Sequence, residues 1–244
     1  MKKLAVVILD GSLESATLCA EALNKGYDVT VLNIEYNQKN WINKYVITKL
    51  LAHFKLREDF KGKIVDHFPL NIDNIYSEFN NLLNKKYGSD KNKDKIEKEI
   101  NSSFHDLLLS VISAMIGEII AFEDDYDEVV VGLNVKQTPI FDKKDISNLN
   151  ITVEFAKRLG NLLSLNKDKK ISLFTPFVYK FTEDIVLRAK ELKVPYKLTW
   201  SCESPKQVIH NTWMPCGKCK ACTERQLAGE SAGIDDINNY HIKI

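Results

Sequence analysis

Leu4-Ala5-Val6-Val7-Ile8-Leu9, then Asp10-Gly11-Ser12-Leu13-Glu14-Ser15, then Ala16 to Asn24 and Asp28-Val29-Thr30-Val31-Leu32-Asn33-Ile34: this opening stretch decides the fold. Its first six residues are an unbroken apolar run of strand length, the pattern of a strand buried on both faces of a parallel sheet. A loop of small residues follows. Ala16 to Asn24 then carries apolar residues at helical spacing until Gly26 stops it, and a second strand begins at Asp28. Together these make a β-loop-α-β unit of about 30 residues, with a right-handed crossover expected.

The same alternation continues outward. Trp41 to Phe54 reads as an amphipathic helix, and Lys63 to Leu70 as a third strand ended by Pro69. From Ile72 to about Ser103 the chain is rich in Asn and Lys, which predicts a surface excursion or flexible loop over about 72–103. Leu107 to Phe122 is a long apolar helix, and Glu128-Val129-Val130-Val131-Gly132-Leu133-Asn134 a fourth buried strand. Ile171 to Pro176 is a fifth strand. It leads into a helix from Thr182 to Lys193, capped by Thr182 or a neighbour, with Glu183 and Asp184 suiting its positive end. The pattern predicts an α/β fold with an open, mostly parallel sheet flanked by helices, binding ligands at the C-terminal strand edges near a switch in strand order.

Composition narrows the function classes. The 244 residues are 44% hydrophobic, enough for a sizeable core, and 34 basic against 33 acidic side chains leave a net charge of +1. Nothing in that balance suggests a surface that coats nucleic acid. The apolar run after Met1-Lys2-Lys3 covers about seven residues, too short for a signal peptide's core or a membrane span. A cytoplasmic protein with reduced thiols is expected.

That compartment bears on Cys202, Cys216, Cys219 and Cys222, spaced C-x13-C-x2-C-x2-C. Two-residue gaps set thiolates where one tetrahedral ion collects them, and Gly217 offers the unusual backbone angle a knuckle needs. Two disulfides are the competing arrangement, which a reducing compartment disfavours. Zinc is the expected occupant. Four thiolates would close its coordination shell, so its role is structural. Cys19 stands apart as a small buried residue on a helix.

The loop after the first strand is the first place for chemistry. Its small residues leave the N–H groups of Gly11 and Ser12 accessible at a helix N-terminus, where an anion could sit. A plain strand-to-helix turn is the competing reading, since neither a Walker A lysine nor three glycines are present. Asp10 and Glu14 add negative charge that a cation would have to offset.

Val194-Pro195-Tyr196-Lys197-Leu198-Thr199-Trp200-Ser201-Cys202, followed by Cys216-Gly217-Lys218-Cys219-Lys220-Ala221-Cys222-Thr223-Glu224-Arg225, resembles the end of the 7-cyano-7-deazaguanine synthase (QueC) family. Glu35-Tyr36-Asn37-Gln38 is similar to that family's D-Y-G-Q, and Val131-Gly132-Leu133-Asn134 to its strand-end G-x-N. The resemblance implies the adenine nucleotide α-hydrolase fold, Rossmann-like, over 1–195, with a zinc-binding C-terminal lobe over 196–244 packed on it. It also implies a reaction in which ATP, with magnesium, adenylates 7-carboxy-7-deazaguanine so that ammonia can form the amide and then the nitrile. Asp10, Gly11, Ser12, Glu14 and Ser15 would meet the ATP; Tyr36, Gln38, Gly132 and Asn134 the deazaguanine; Cys202, Cys216, Cys219 and Cys222 the zinc.

The chain departs from the family where the chemistry should be. Against the PP-loop S-G-G-x-D-S it has Asp10-Gly11-Ser12-Leu13-Glu14-Ser15, losing the opening serine and the second glycine. A carboxylate at Asp10, about 4 Å from a phosphate charge, would repel it by roughly 4 kcal/mol at an effective dielectric of 20. His105-Asp106 stands where the family has Arg-Asn, and Asn150-Ile151-Thr152 where it has Asp-Cys-Arg. Thr182 or Glu183 replaces a lysine, with Lys180 the nearest cation. Neither His nor Thr reproduces the two-bond fork of an arginine. His105, which could serve as a general base or ligand, reads first as a helix-start residue making a local hydrogen bond, Asp106 as a partner of the helix dipole, and Trp200 as core shielding the metal.

The gap between Cys202 and Cys216 is longer than in the family, so Glu203 to Pro215, with His210 and Trp213, forms an inserted loop expected to border the pocket rather than the metal. Three functions are in view. One is the ATP-dependent deazaguanine enzyme. Another is a related ligase that passes the activated carboxylate to a protein amine, which requires a protein partner. The last is a non-catalytic relative binding a nucleotide, a base or a protein. The resemblance also admits a homodimer, while no membrane or nucleic-acid partner is indicated.

Overall fold

β1 (Lys3–Ile8) runs through the centre of a parallel sheet, between β2 (Asp28–Glu35) and β4 (Glu128–Gly132). The computed structural model describes residues 2–35, 41–88, 93–123, 126–134, 153–165, 171–234 and 242–243. The sheet has five strands in the order β3-β2-β1-β4-β5, with β3 (Ile64–Asn71) and β5 (Ile171–Phe174) at its edges. Leu4 pairs with Asp28 on one side and Val129 on the other, and all four strand pairs are parallel.

Both faces are covered, which is why β1 reads as a continuous apolar run rather than an alternating one. Ala5, Val7, Val29 and Val31 point to one face, where they meet α1 (Leu13–Asn24), α2 (Trp41–Lys55) and α6 (Thr182–Glu191). Leu4, Val6, Leu32 and Val131 point to the other, beneath α4 (Lys93–Glu123) and α5 (Val153–Leu163). The chain winds outward from β1 to β3, then crosses back to β4. The switch in strand order therefore falls between β1 and β4, where a doubly wound sheet opens a crevice at its C-terminal edge.

Three expectations are corrected and one helix is added. β3 does not end at Pro69: it continues to Asn71, with Pro69 opposite Asn33. An edge strand tolerates a missing N–H, because one of its two hydrogen-bonding rows faces no neighbour. The polar stretch after Ile72 is helical rather than a loop over its described length, forming α3 (Asp73–Tyr87) and the first turns of α4. Tyr76, Phe79 and Leu83 give α3 a thin inward stripe, and Asp73 and Lys85-Lys86 complement its dipole at either end. α5 carries no label in the sequence reading, although Ala156, Leu159 and Leu163 recur on one face. The insertion after Cys202 is a β-hairpin, β6 (Lys206–Ile209) and β7 (Thr212–Met214), turning at His210-Asn211 with Asn211 at φ 57°.

The C-terminal part adds a 3₁₀ turn at Tyr196–Leu198, α7 (Lys220–Ser231), and β8 (Ile242–Lys243) antiparallel to β7. Trp200, Cys202, Cys216, Cys222 and Ala228 belong to the same buried cluster as α1, α2 and α6. Arg188 on α6 grips the buried Glu21 of α1 through Nε at 2.8 Å and Nη2 at 2.7 Å. No helix among the described residues is long and apolar enough to cross a membrane.

Candidate functional site

The strand-to-helix loop is shaped by one glycine and one carboxylate. Gly11 sits at φ 89°, a region open to residues without a Cβ, and a Cβ there would come within 3.1 Å of Val46 Cγ1. Ser12 caps α1, its Oγ accepting the Ser15 N–H at 3.1 Å. The Asp10 carboxylate folds back over the loop. Its Oδ1 accepts the Ser12 N–H at 2.8 Å and the Ser15 hydroxyl at 2.5 Å. Asp10 is thus the loop's own anion, held by groups that an incoming phosphate would use.

Neighbouring elements fix the loop from outside. Asn43 on α2 donates from Nδ2 to the Asp10 carbonyl at 2.9 Å, and the Trp200 N–H donates to the Gly11 carbonyl at 2.7 Å. A cleft of about 410 Å³ opens beside it, walled by Asp10, Ser12 and Glu14, by Thr182, Ile185 and Val186 of α6, and by Trp200 to Glu203 with Ala221, Glu224 and Arg225. Four of those side chains are acidic. Arg225 is buried and bonded through Nη2 to the Tyr196 carbonyl at 2.6 Å and through Nη1 to Ser201 Oγ at 3.4 Å, which ties α7 to the cleft wall. Lys180 is exposed and does not line the cleft. Of the insertion between Cys202 and Cys216, Glu203 lines it.

The four thiols converge. Sγ atoms of Cys202, Cys216, Cys219 and Cys222 all lie within 4.8 Å of one another, and those of Cys216 and Cys222 are 4.0 Å apart. Four Zn–S bonds of about 2.3 Å in a tetrahedron set sulfurs just under 4 Å apart, so the knot fits zinc. His210 is not part of this cluster. The Cys216 N–H donates to Cys202 Sγ at 3.2 Å and the Cys219 N–H to Cys216 Sγ at 3.3 Å, with Gly217 at φ 72° making the turn. Burial pushes the Cys216 thiol up, but the backbone N–H groups of Lys218 and Cys219 and the neighbouring thiols outweigh it and bring it to about 6. Burial raises Cys202 and Cys222. Cys19, wholly buried on α1, is pushed up to about 12 by burial.

Gly132 and Asn134 stand at the C-terminal end of β4, across the switch point from the loop. Gly132 is packed against β1, where a Cβ would lie 3.0 Å from Val7 Cγ2. Asn134 Oδ1 is buried and has no hydrogen-bond partner among the described residues. Neither lines the cleft walled by Asp10 and Arg225. Tyr36, Gln38, Asn150, Ile151 and Thr152 lie outside the described residues, as do the side chains of His105 and Asp106.

Sequence reasoning missed Asn43 and Glu224 as cleft residues, and it placed no role on Arg225; Glu203 is the part of the insertion that borders the cleft as expected. An arginine three residues after the last cysteine, on the same buried face of α7, was the available signal for Arg225. Nothing local announced Asn43, which arrives from a separate helix.

Comparison with known proteins fits this arrangement. A family model described as "Queuosine biosynthesis protein QueC" matches residues 4–233. A 7-cyano-7-deazaguanine synthase from Picrophilus torridus is 30% identical over 96% of this chain and 90% of its own length. Proteins of the same name from Thermoplasma volcanium and Caldicellulosiruptor bescii are 27% and 28% identical, each over 98% of this chain and 92% and 98% of their own lengths. With the sheet order, the loop after β1 and the four-thiol knot in place, the match across nearly the whole chain establishes that this protein belongs to the QueC family.

Proposed function

We propose that the protein is an ATP-dependent ligase that adenylates a carboxylated 7-deazaguanine and converts it with ammonia to the amide and then the nitrile. The observation that carries this reading is the Gly11 turn, with Ser12 and Ser15, at the switch point of a QueC-family sheet. Asn134 supports it. A buried acceptor without a donor costs about 1–3 kcal/mol, and an N–H of a purine-like ring would satisfy it.

A substrate carboxylate oxygen attacks the α-phosphorus of ATP, pyrophosphate leaves, and a mixed anhydride remains. Ammonia attacks its carbonyl carbon and AMP departs, giving the amide. A second ATP activates the amide oxygen in the same way, and loss of AMP with the remaining N–H protons leaves the C≡N bond. For phosphate to reach the Ser12 N–H, the Asp10 carboxylate must turn aside. Magnesium brought with ATP would supply charge to offset the two loop carboxylates, Asp10 and Glu14, with Glu14 left to hold it once Asp10 has turned aside.

One feature favours a second reading. Because Asp10 already satisfies the loop donors, the chain could retain the scaffold for binding alone. Mass spectrometry after incubation with 7-carboxy-7-deazaguanine, ammonia and Mg-ATP separates the two. The amide or nitrile is expected; substrate recovered unchanged contradicts the ligase and leaves the binding role.

A further inference from the structure

A second cavity, of about 580 Å³, shares Leu13 and Val186 with the cleft but is walled otherwise by the last turns of α6, the 3₁₀ turn after it and the chain just past α7. Its character is opposite. Where four acidic side chains line the cleft, this cavity has none; its charged lining is Lys190, Lys193 and Lys197, all exposed. Leu13, Val186, Ala189, Val194 and Ile234 make the rest of it apolar. None of the three lysines is in an ion pair among the described residues. Of the acids around them, Glu191 is bonded to Arg188 and Asp59 to Arg57, each at 2.6 Å.

The backbone at Lys193 marks the same place. α6 ends in a Schellman turn, in which the Lys193 N–H donates to the Lys190 carbonyl at 3.1 Å and the Val194 N–H to the Ala189 carbonyl at 2.8 Å. The residue that closes such a turn takes a left-handed backbone, here φ 53°, and glycine is its usual occupant because it has no Cβ to clash. A lysine therefore holds a strained position at the rim of an apolar cavity, where glycine would fold more easily.

We propose that this cavity binds a small molecule with a flat apolar body and an anionic group, the body against the apolar lining beside Tyr196 and the anion among the three lysines. The volume falls in the range of about 300–1,000 Å³ usual for small-molecule sites, which favours such a ligand over an acidic protein surface. An aromatic lining residue suits a flat body. The unpaired lysines supply the complementary charge.

Anilinonaphthalenesulfonate, flat rings carrying one sulfonate, is the probe, titrated into the full-length protein by calorimetry. One saturable site per chain is expected. Phenylnaphthylamine, the same rings without the sulfonate, should bind there at least about tenfold more weakly. Lys193→Gly relieves the turn, so it should melt at or above the wild-type temperature while weakening the sulfonate probe by about threefold or more. Adding Lys190→Gln and Lys197→Gln should reduce affinity to that of the uncharged rings. Met115→Lys, at an apolar position of α4 that is 59% exposed, should leave the site unchanged and so separates it from general adhesion to apolar surface. Absence of a saturable site, equal binding of the uncharged rings, undiminished binding in Lys193→Gly, or loss of the site in Met115→Lys would each overturn the proposal.

Discussion

The Trp200 N–H donates to the Gly11 carbonyl at 2.7 Å, so the segment that delivers the first thiol, Cys202, is bonded directly to the loop after β1. The Trp200 indole Nε1 in turn donates to the Cys202 carbonyl at 3.0 Å. The thiol knot and the loop form one mechanical unit. Loading the knot with zinc and then stripping it with a chelator should release Trp200 and, with it, the loop. Hydrogen exchange before and after chelation should show the amides of 10–15 and 200–202 exchanging at least about tenfold faster while β1 and β2 stay protected. Unchanged exchange in 10–15 would separate the knot from the loop.

Gly11→Ala places a Cβ at φ 89° and 3.1 Å from Val46 Cγ1. The left-handed backbone alone costs about 1–2 kcal/mol, which in a chain of this size lowers the melting temperature by several degrees. A variant melting with the wild type would mean that the loop adopts another backbone path.

Asp10→Ser removes the internal carboxylate and puts back a neutral hydroxyl. With the Ser12 N–H freed and one repulsive charge gone, affinity for Mg-ATP should rise by at least about tenfold in calorimetric titration. Affinity that stays level or falls would mean that Asp10 helps bind the nucleotide, through its cation.

Glu21 is buried and holds Arg188 by two bonds, tying α1 to α6. Glu21→Ala leaves a guanidinium that is partly exposed and still paired with Glu191, so the loss should be about 2–3 kcal/mol rather than the larger cost of a fully buried pair. Chemical denaturation reads the difference directly.

Burial, assisted by Arg57, lowers the ionisation of His53, and burial with Lys55 lowers that of His67. Both imidazoles are neutral in the folded state and take up protons more readily when unfolded. Stability is complete above the unfolded histidine value of about 6.5 and declines as pH falls through the lower folded values. Melting temperatures should therefore drop below about pH 6.5, less steeply in His53→Gln; parallel profiles would remove His53 from the cause.

The centre of the sheet was legible because β1, β2 and β4 are buried on both faces and so carry dense apolar runs, from Val6 in β1 to Val131 in β4. The four thiols were legible because their spacing is local. α3 was misread because its Asn- and Lys-rich surface outweighed a thin buried stripe ending at Leu83. The hairpin after Cys202 was missed because β6 is exposed along its whole length and shows no alternation. The loop's geometry was half legible. Gly11 announced a turn, but Asp10 folding onto Ser12 and Ser15 depends on side-chain reach, and the hold of Asn43 and Trp200 comes from elements 33 and 189 residues away.

AMP release is the most direct measurement of the central claim, that a QueC-family loop carrying its own carboxylate still adenylates a deazaguanine. With ammonia and Mg-ATP present, AMP should appear only when 7-carboxy-7-deazaguanine is added, and should be lost in Gly11→Ala. AMP no higher than in the substrate-free control would contradict it.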